Sequence, residues 1–165
     1  MKTIKYDRIS AVNYAKKWAL SRNPKYYDFG LIGGDCTNFI SQCIYAGSKV
    51  MNYNLNNGWY YINGNKKSPS WTGVEYLYKF LINNKGVGPR ARIANQNELQ
   101  VGDIAQLSFS NNIFGHSLFI INIDDVNDLN KIQIATHTYD VLGKNIGEYY
   151  YDKIRFIHIE NVGKY

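Results

Sequence analysis

The spacing of apolar and polar positions divides the chain into a helical first half and a stranded second half. From Asp7 to Ser21, Val12, Ala15, Trp18 and Ala19 recur at helical spacing, and Asp7 stands where a cap belongs. Asn23-Pro24 ends that helix, because the residue before a proline is pushed out of helical geometry. A second helix is predicted in GGDCTNFISQCIYAG, Gly33 to Gly47. Asp35 can cap it, Phe39, Ile40, Cys43 and Ile44 carry the period, and Gly47 offers a left-handed stop. Ser48 to Lys67 is rich in Asn, Gly and Tyr, lacks a period and reads as an irregular excursion holding Trp59, Tyr60 and Tyr61. Ser68-Pro69-Ser70 opens a third helix, with either serine as cap and Trp71, Val74, Leu77, Tyr78 and Leu81 as its inner face. Asn83 to Gly86 closes it.

After Pro89 the pattern turns to strands. Gly102-Asp103 is a turn feeding Ile104 to Phe109, and Gly115 precedes a strand from His116 to Ile123 that is buried on at least one face. Asp124 to Asn130 makes the next turn. Lys131 to Thr138 is a further strand carrying His137, and Tyr149 to Ile159 supplies another with His158 inside it. Helices first and antiparallel strands second is an α+β pattern, with the helices on one side of a sheet. No repeat or low-complexity tract interrupts it, and 165 residues make one domain, 1–165, with room for a real core.

Composition narrows the partners. Hydrophobic residues at 45% against 19% charged fit a folded chain rather than a disordered one. A formal net charge of +6 favours anionic partners: nucleic acid, an acidic cell wall or a membrane surface. The lysines and arginines are scattered, with only short pairs such as Lys16-Lys17, so no nucleic-acid groove is expected. No apolar run is long enough to span a membrane, and the residues after Met1 lack the apolar core of a secretion signal. Export by another route, or a leader outside this sequence, is therefore expected. No cofactor motif or CxxC metal signature is present, and Cys36 and Cys43 lie two helical turns apart, about 10 Å, too far for a disulfide.

Cys36 is the candidate nucleophile. In the first turn of its helix, free amides and the partial positive charge of the helix end favour a thiolate, and a neighbouring imidazole would complete the activation. The alternative is a small buried core residue. The Gly-Gly-Asp approach and the polar Asn38 and Gln42 set this cysteine apart from that alternative. His116 opens a hydrophobic strand directly after a glycine, a rigid yet accessible place for a general base. His137 ends the next strand. If the two strands pair antiparallel, it can orient the far nitrogen of His116, as the third member of a triad does. The aromatics Tyr26 and Tyr27, and Trp71, line a groove in one reading and pack the helix in the other.

In order along the chain, DCTNFISQC, SPSW, VGDIAQL, GHSLFIIN and ATHTYD resemble the bacterial putative amidase domain family, of the papain-like group that includes NlpC-type and CHAP cell-wall peptidases. The resemblance runs from about Tyr6 to the last strand, and DCTNFISQC is its most specific part. It implies a papain-like fold and a Cys-His-His triad of Cys36, His116 and His137, with Asp140 the alternative orienting group. Asp35, Asn38, Trp71 and Tyr27 are the candidate substrate contacts, although Tyr26 competes with Tyr27 for the family's upstream tyrosine. His158 has no counterpart and reads as structural. The implied activity is amide hydrolysis of cell-wall peptidoglycan through a thioester, by a secreted, wall-associated or phage-released enzyme. An acyltransferase or toxin-like enzyme acting on protein, or a non-catalytic wall-binding domain, are the alternatives.

Overall fold

The structure, a computed structural model, describes all of residues 1–165 and is α+β. In chain order its elements are β1 (Lys2–Ile4), α1 (Arg8–Trp18), α2 (Cys36–Ser48), β2 (Tyr61–Asn63), β3 (Lys66–Lys67), α3 (Pro69–Thr72), α4 (Val74–Asn83) and β4 (Gly88–Ala94). Then come β5 (Ile104–Ser110), β6 (Ile113–Ile123), β7 (Ile132–Thr136), β8 (Val141–Asn145) and β9 (Lys153–Lys164), with short 3-10 turns between some of them. Seven strands form one antiparallel sheet in the order β1-β9-β5-β6-β7-β8, and β4 also pairs with β9. No helix is long and apolar enough to cross a membrane.

Strand alternation assigns each side chain to a face. Phe119 and Ile121 of β6 and Ile157 of β9 join Phe39, Ile40, Ile44, Trp71 and Leu77 in the larger core, between sheet and helices. Leu118 and Ile120, one residue out of phase, pack with Leu107, Ile134, Ile146 and Phe156 under loops on the other face. Two faces with separate cores are the geometric fact on which the site depends.

Asp7 caps α1 as its sequence position predicts, its Oδ1 accepting from the Ser10 amide at 3.0 Å. Gly47 does not end α2; Lys49 does, in the left-handed region at φ 57°. The glycine serves the crossing of α1 and α2 instead, since a Cβ there would lie 2.6 Å from the Asp7 carbonyl oxygen. The third predicted helix breaks at Gly73 into α3 and α4; Ser68 stands at the N-cap of α3, but its side chain bonds no first-turn amide. Ser68 Oγ accepts from the Tyr60 amide, and Ser70 Oγ donates to the Gly58 carbonyl, so both serines pin the preceding loop. That loop holds the small hairpin β2–β3, and the last strand starts later and runs further than its hydrophobic pattern predicts.

Candidate active site at the first turn of α2

Cys36 is the first residue of α2. The chain reaches it through Gly33 and Gly34 at φ +83° and +102°, conformations that side chains rarely adopt. Asp35, which precedes the cysteine, does not cap the helix as expected. Its buried carboxylate is taken up elsewhere: Oδ1 accepts from the Phe29 amide at 2.9 Å and from Asn38 Nδ2 at 2.8 Å, and Oδ2 faces His137 Nδ1 at 2.6 Å. The first-turn amides of α2 are thereby left without a side-chain cap, which keeps donors free at the helix end.

Cys36 is buried, the residue as a whole 8% exposed. Thr37 Oγ1 lies 3.7 Å from Sγ, and the backbones of Thr37 and Ser117 favour the anion there through hydrogen bonding. Burial nevertheless pushes the Cys36 thiol above its ordinary value, with those hydrogen bonds opposing and the charge of Asp35 adding to the rise. The expected thiolate at a helix end is therefore corrected. Desolvation outweighs the hydrogen bonds that favour the anion, and the resting side chain is a thiol.

The two histidines do not meet. β6 and β7 are antiparallel neighbours, as predicted, with Phe119 opposite Ala135. His116, however, stands opposite Leu107 and shares the face of Leu118 and Ile120. Its ring lies 6.5 Å from that of Phe109 and 6.1 Å from that of Tyr149, and burial together with Lys144 lowers its pKa to about 4. Ser117, the next residue, turns to the helix face and meets Thr37 of α2 at 3.1 Å. Alternation thus carries His116 away from Cys36 and away from His137. His137 points to the helix side, where its ring stacks on Phe39 with centroids 4.1 Å apart. Nδ1 is bound to Asp35, and Nε2 is 2.8 Å from the Trp18 carbonyl oxygen, so neither nitrogen is left to orient a base.

Asp140 holds no histidine either; it makes a two-pronged pair with Arg22 at 2.8 and 3.0 Å. His158 binds Asp103 at 2.8 Å beside Arg8, tying α1 to β9, the structural role expected of it. Asn38 is buried, donating to the Tyr27 carbonyl at 2.9 Å and accepting from Trp71 Nε1 at 2.9 Å. Trp71 lies inside an aromatic cluster with Tyr26, Trp59 and Tyr61. Asp35, Asn38 and Trp71 are therefore internal supports of the site, with no surface left to offer a substrate. Tyr27 alone of the four is open, 49% exposed.

Several residues that the sequence pattern does not single out complete the neighbourhood. Arg22 ties together Asp140, Asp28 at 3.2 Å and Asp35 at 3.6 Å, fastening four segments around the start of α2. Thr37, Gln106 and Ser117 form a buried polar cluster beneath the sulfur. No local pattern marks them, because their meeting depends on strand register. A cavity of about 540 Å³ lies elsewhere, lined by residues such as Asn52, Tyr76, Lys79 and Asn84. Asn52 and Asn84 are already bound to backbone there. No three His, Cys, Asp or Glu side chains gather to hold a metal.

Residues 5–159 match the family model described as "Putative amidase domain". The chain is also 36% identical over 143 residues to "Uncharacterized protein YhbB" of Bacillus subtilis (strain 168). That match covers 84% of this chain and 43% of the relative, so the chain spans less than half of the relative's length. No solved structure matches. With nearly its whole length matched, the chain belongs to the putative amidase domain family, whose description points to hydrolysis of amides.

Proposed function

We propose that the chain is a cysteine-dependent amide hydrolase of papain-like type, with Cys36 as nucleophile and the stem peptides of peptidoglycan as substrate. The observation that carries this reading is the position of Cys36. It is a thiol on the first residue of a helix whose leading amides have no side-chain cap, with the Thr37 hydroxyl 3.7 Å from its sulfur. Sγ attacks the amide carbonyl and its proton passes to the leaving nitrogen. The C–N bond breaks to give a thioester and a free amine, and water then cleaves the thioester. Helix-start amides are donors suited to the oxyanion that develops. His137 is a positioning residue, holding Asp35 and with it the approach to Cys36. No step is assigned to His116.

The substrate class rests on the resemblance to cell-wall peptidases and on the net charge of +6, which draws the protein to wall polymers bearing phosphate or carboxylate. Purified cell wall incubated with the wild type and with Cys36→Ala tests it. Release of new amine termini by the wild type alone is expected, and equal release by both sinks the proposal.

A second reading has one specific observation in its favour: neither histidine ring stands beside the sulfur. In that reading the domain binds wall polymer without cutting it. Sedimentation with wall that is equal for wild type and Cys36→Ala, with no new termini from either, is its signature.

A further inference from the structure

A line of buried polar groups runs from β9 through the sheet to the cysteine. Arg155 Nε and Nη2 donate to Gln106 Oε1 at 2.9 and 2.7 Å. Gln106 Nε2 donates to the Val74 carbonyl at 3.1 Å and to Ser117 Oγ at 3.2 Å. Ser117 Oγ is 3.1 Å from Thr37 Oγ1, which is 3.7 Å from Cys36 Sγ. Gln106, Ser117, Thr37 and Cys36 are all buried, and the Arg155 side chain is only 14% exposed.

The direction of this line is fixed by chemistry. A guanidinium only donates, so the atom of Gln106 that faces it is the oxygen. The carbonyl of Val74 only accepts, so the other atom is the amide nitrogen, and that nitrogen can only donate to Ser117. The Ser117 hydroxyl hydrogen is then free for Thr37, and that of Thr37 for the sulfur. A thiolate accepts and cannot donate, so when Cys36 loses its proton every link points from the charge of Arg155 toward the sulfur. Arg155 is held rigid for this, its guanidinium carbon 3.6 Å from the ring centroid of Tyr78 and 4.0 Å from that of Phe114.

We propose that Arg155 is a positioning residue that favours the Cys36 thiolate through the relay Gln106, Ser117 and Thr37. It takes the part an imidazolium plays where a histidine adjoins the sulfur. This rests on the reading of Cys36 as nucleophile. The opposing groups are Asp35, whose charge is shared with His137 and Arg22, and Glu75, which binds Arg155 Nη2 at 2.8 Å. His116 lies on the other face of the sheet and is outside the relay. Relays of this kind strengthen in low dielectric because each hydrogen bond polarises the next.

The test follows iodoacetamide alkylation of Cys36 against pH, read by peptide mass, with Cys43 as the internal control. Thr37→Val removes the hydroxyl at nearly constant shape, Thr37→Ser keeps it, and Arg155→Met removes the charge while keeping the stem. Thr37→Val and Arg155→Met are expected to move the alkylation midpoint up by about one pH unit, about a tenfold slower reaction below it, while Thr37→Ser stays near wild type. Circular dichroism identifies any variant that fails to fold, and Thr37→Ser against Thr37→Val then carries the comparison. Equal midpoints for wild type, Thr37→Val and Arg155→Met, or a Thr37→Ser midpoint as high as that of Thr37→Val, overturn the proposal. The readout needs no substrate. A shifted midpoint without wall hydrolysis therefore fails the function and keeps the relay, and Cys36-dependent hydrolysis with unshifted midpoints does the reverse.

Discussion

His137 Nδ1 lies 2.6 Å from Asp35 Oδ2, with both side chains shut off from solvent. The histidine that sequence spacing assigns to another histidine instead holds the residue immediately before the cysteine. Removing one member of such a buried pair leaves a carboxylate without its partner, a cost of about 3 kcal/mol or more. His137→Leu is therefore expected to lower stability by about that amount, read as a shift in the urea unfolding midpoint at neutral pH. An unshifted midpoint would show that the pair holds nothing in place.

His116 carries the opposite expectation. Its folded pKa of about 4 lies below the ordinary 6.5, so the folded protein disfavours the charged ring. Between those values the unfolded chain binds the proton and the folded chain does not, so stability falls as pH drops from 6.5 toward 4. His116→Phe suits that apolar face and is expected to flatten this part of the stability curve relative to wild type. The same variant leaves the pH profile of Cys36 alkylation where it was. A moved alkylation midpoint would place His116 at the sulfur and overturn the face assignment.

Gly47 is expected to reject even a methyl group. The Cβ of Gly47→Ala would meet the Asp7 carbonyl oxygen at 2.6 Å, and backbone cannot swing aside as a side-chain tip can. Overpacking of this kind costs about 1–3 kcal/mol, a clear drop in melting temperature. A melting temperature equal to wild type would contradict the close crossing of α1 and α2.

Trp71 separates support from substrate contact. Trp71→Phe keeps an aromatic ring but leaves Asn38 Oδ1 without its donor, so a loss of about 1–3 kcal/mol in stability is expected. A groove wall would change KM and leave unfolding untouched.

The helical first half and antiparallel second half were legible because hydrophobic period is local. Cys36 at a helix start was legible for the same reason: two glycines and an aspartate precede an apolar stripe. The faces of the strands were not. Around Gly115 the register of β5 and β6 shifts, so that Leu107 faces His116 while Ser108 faces Phe114. One residue of register decides whether His116 or Ser117 meets α2, and periodicity alone cannot fix it. Asp35 looked like a cap because caps are local, yet it is claimed by His137, 102 residues away. Arg22, Gln106 and Arg155 were invisible for the same reason, since their partners lie on other elements. The thiolate expectation does not survive burial, which raises the thiol's pKa and which a linear pattern does not quantify.

With Cys36 as nucleophile, as proposed, amide cleavage passes through a covalent bond to its sulfur. Intact-protein and peptide mass spectrometry during turnover of soluble peptidoglycan fragments tests it directly. An acyl adduct is expected on the peptide containing Cys36, removed by hydroxylamine and absent from Cys36→Ala. Turnover with no such adduct, matched by the alanine variant, would contradict it.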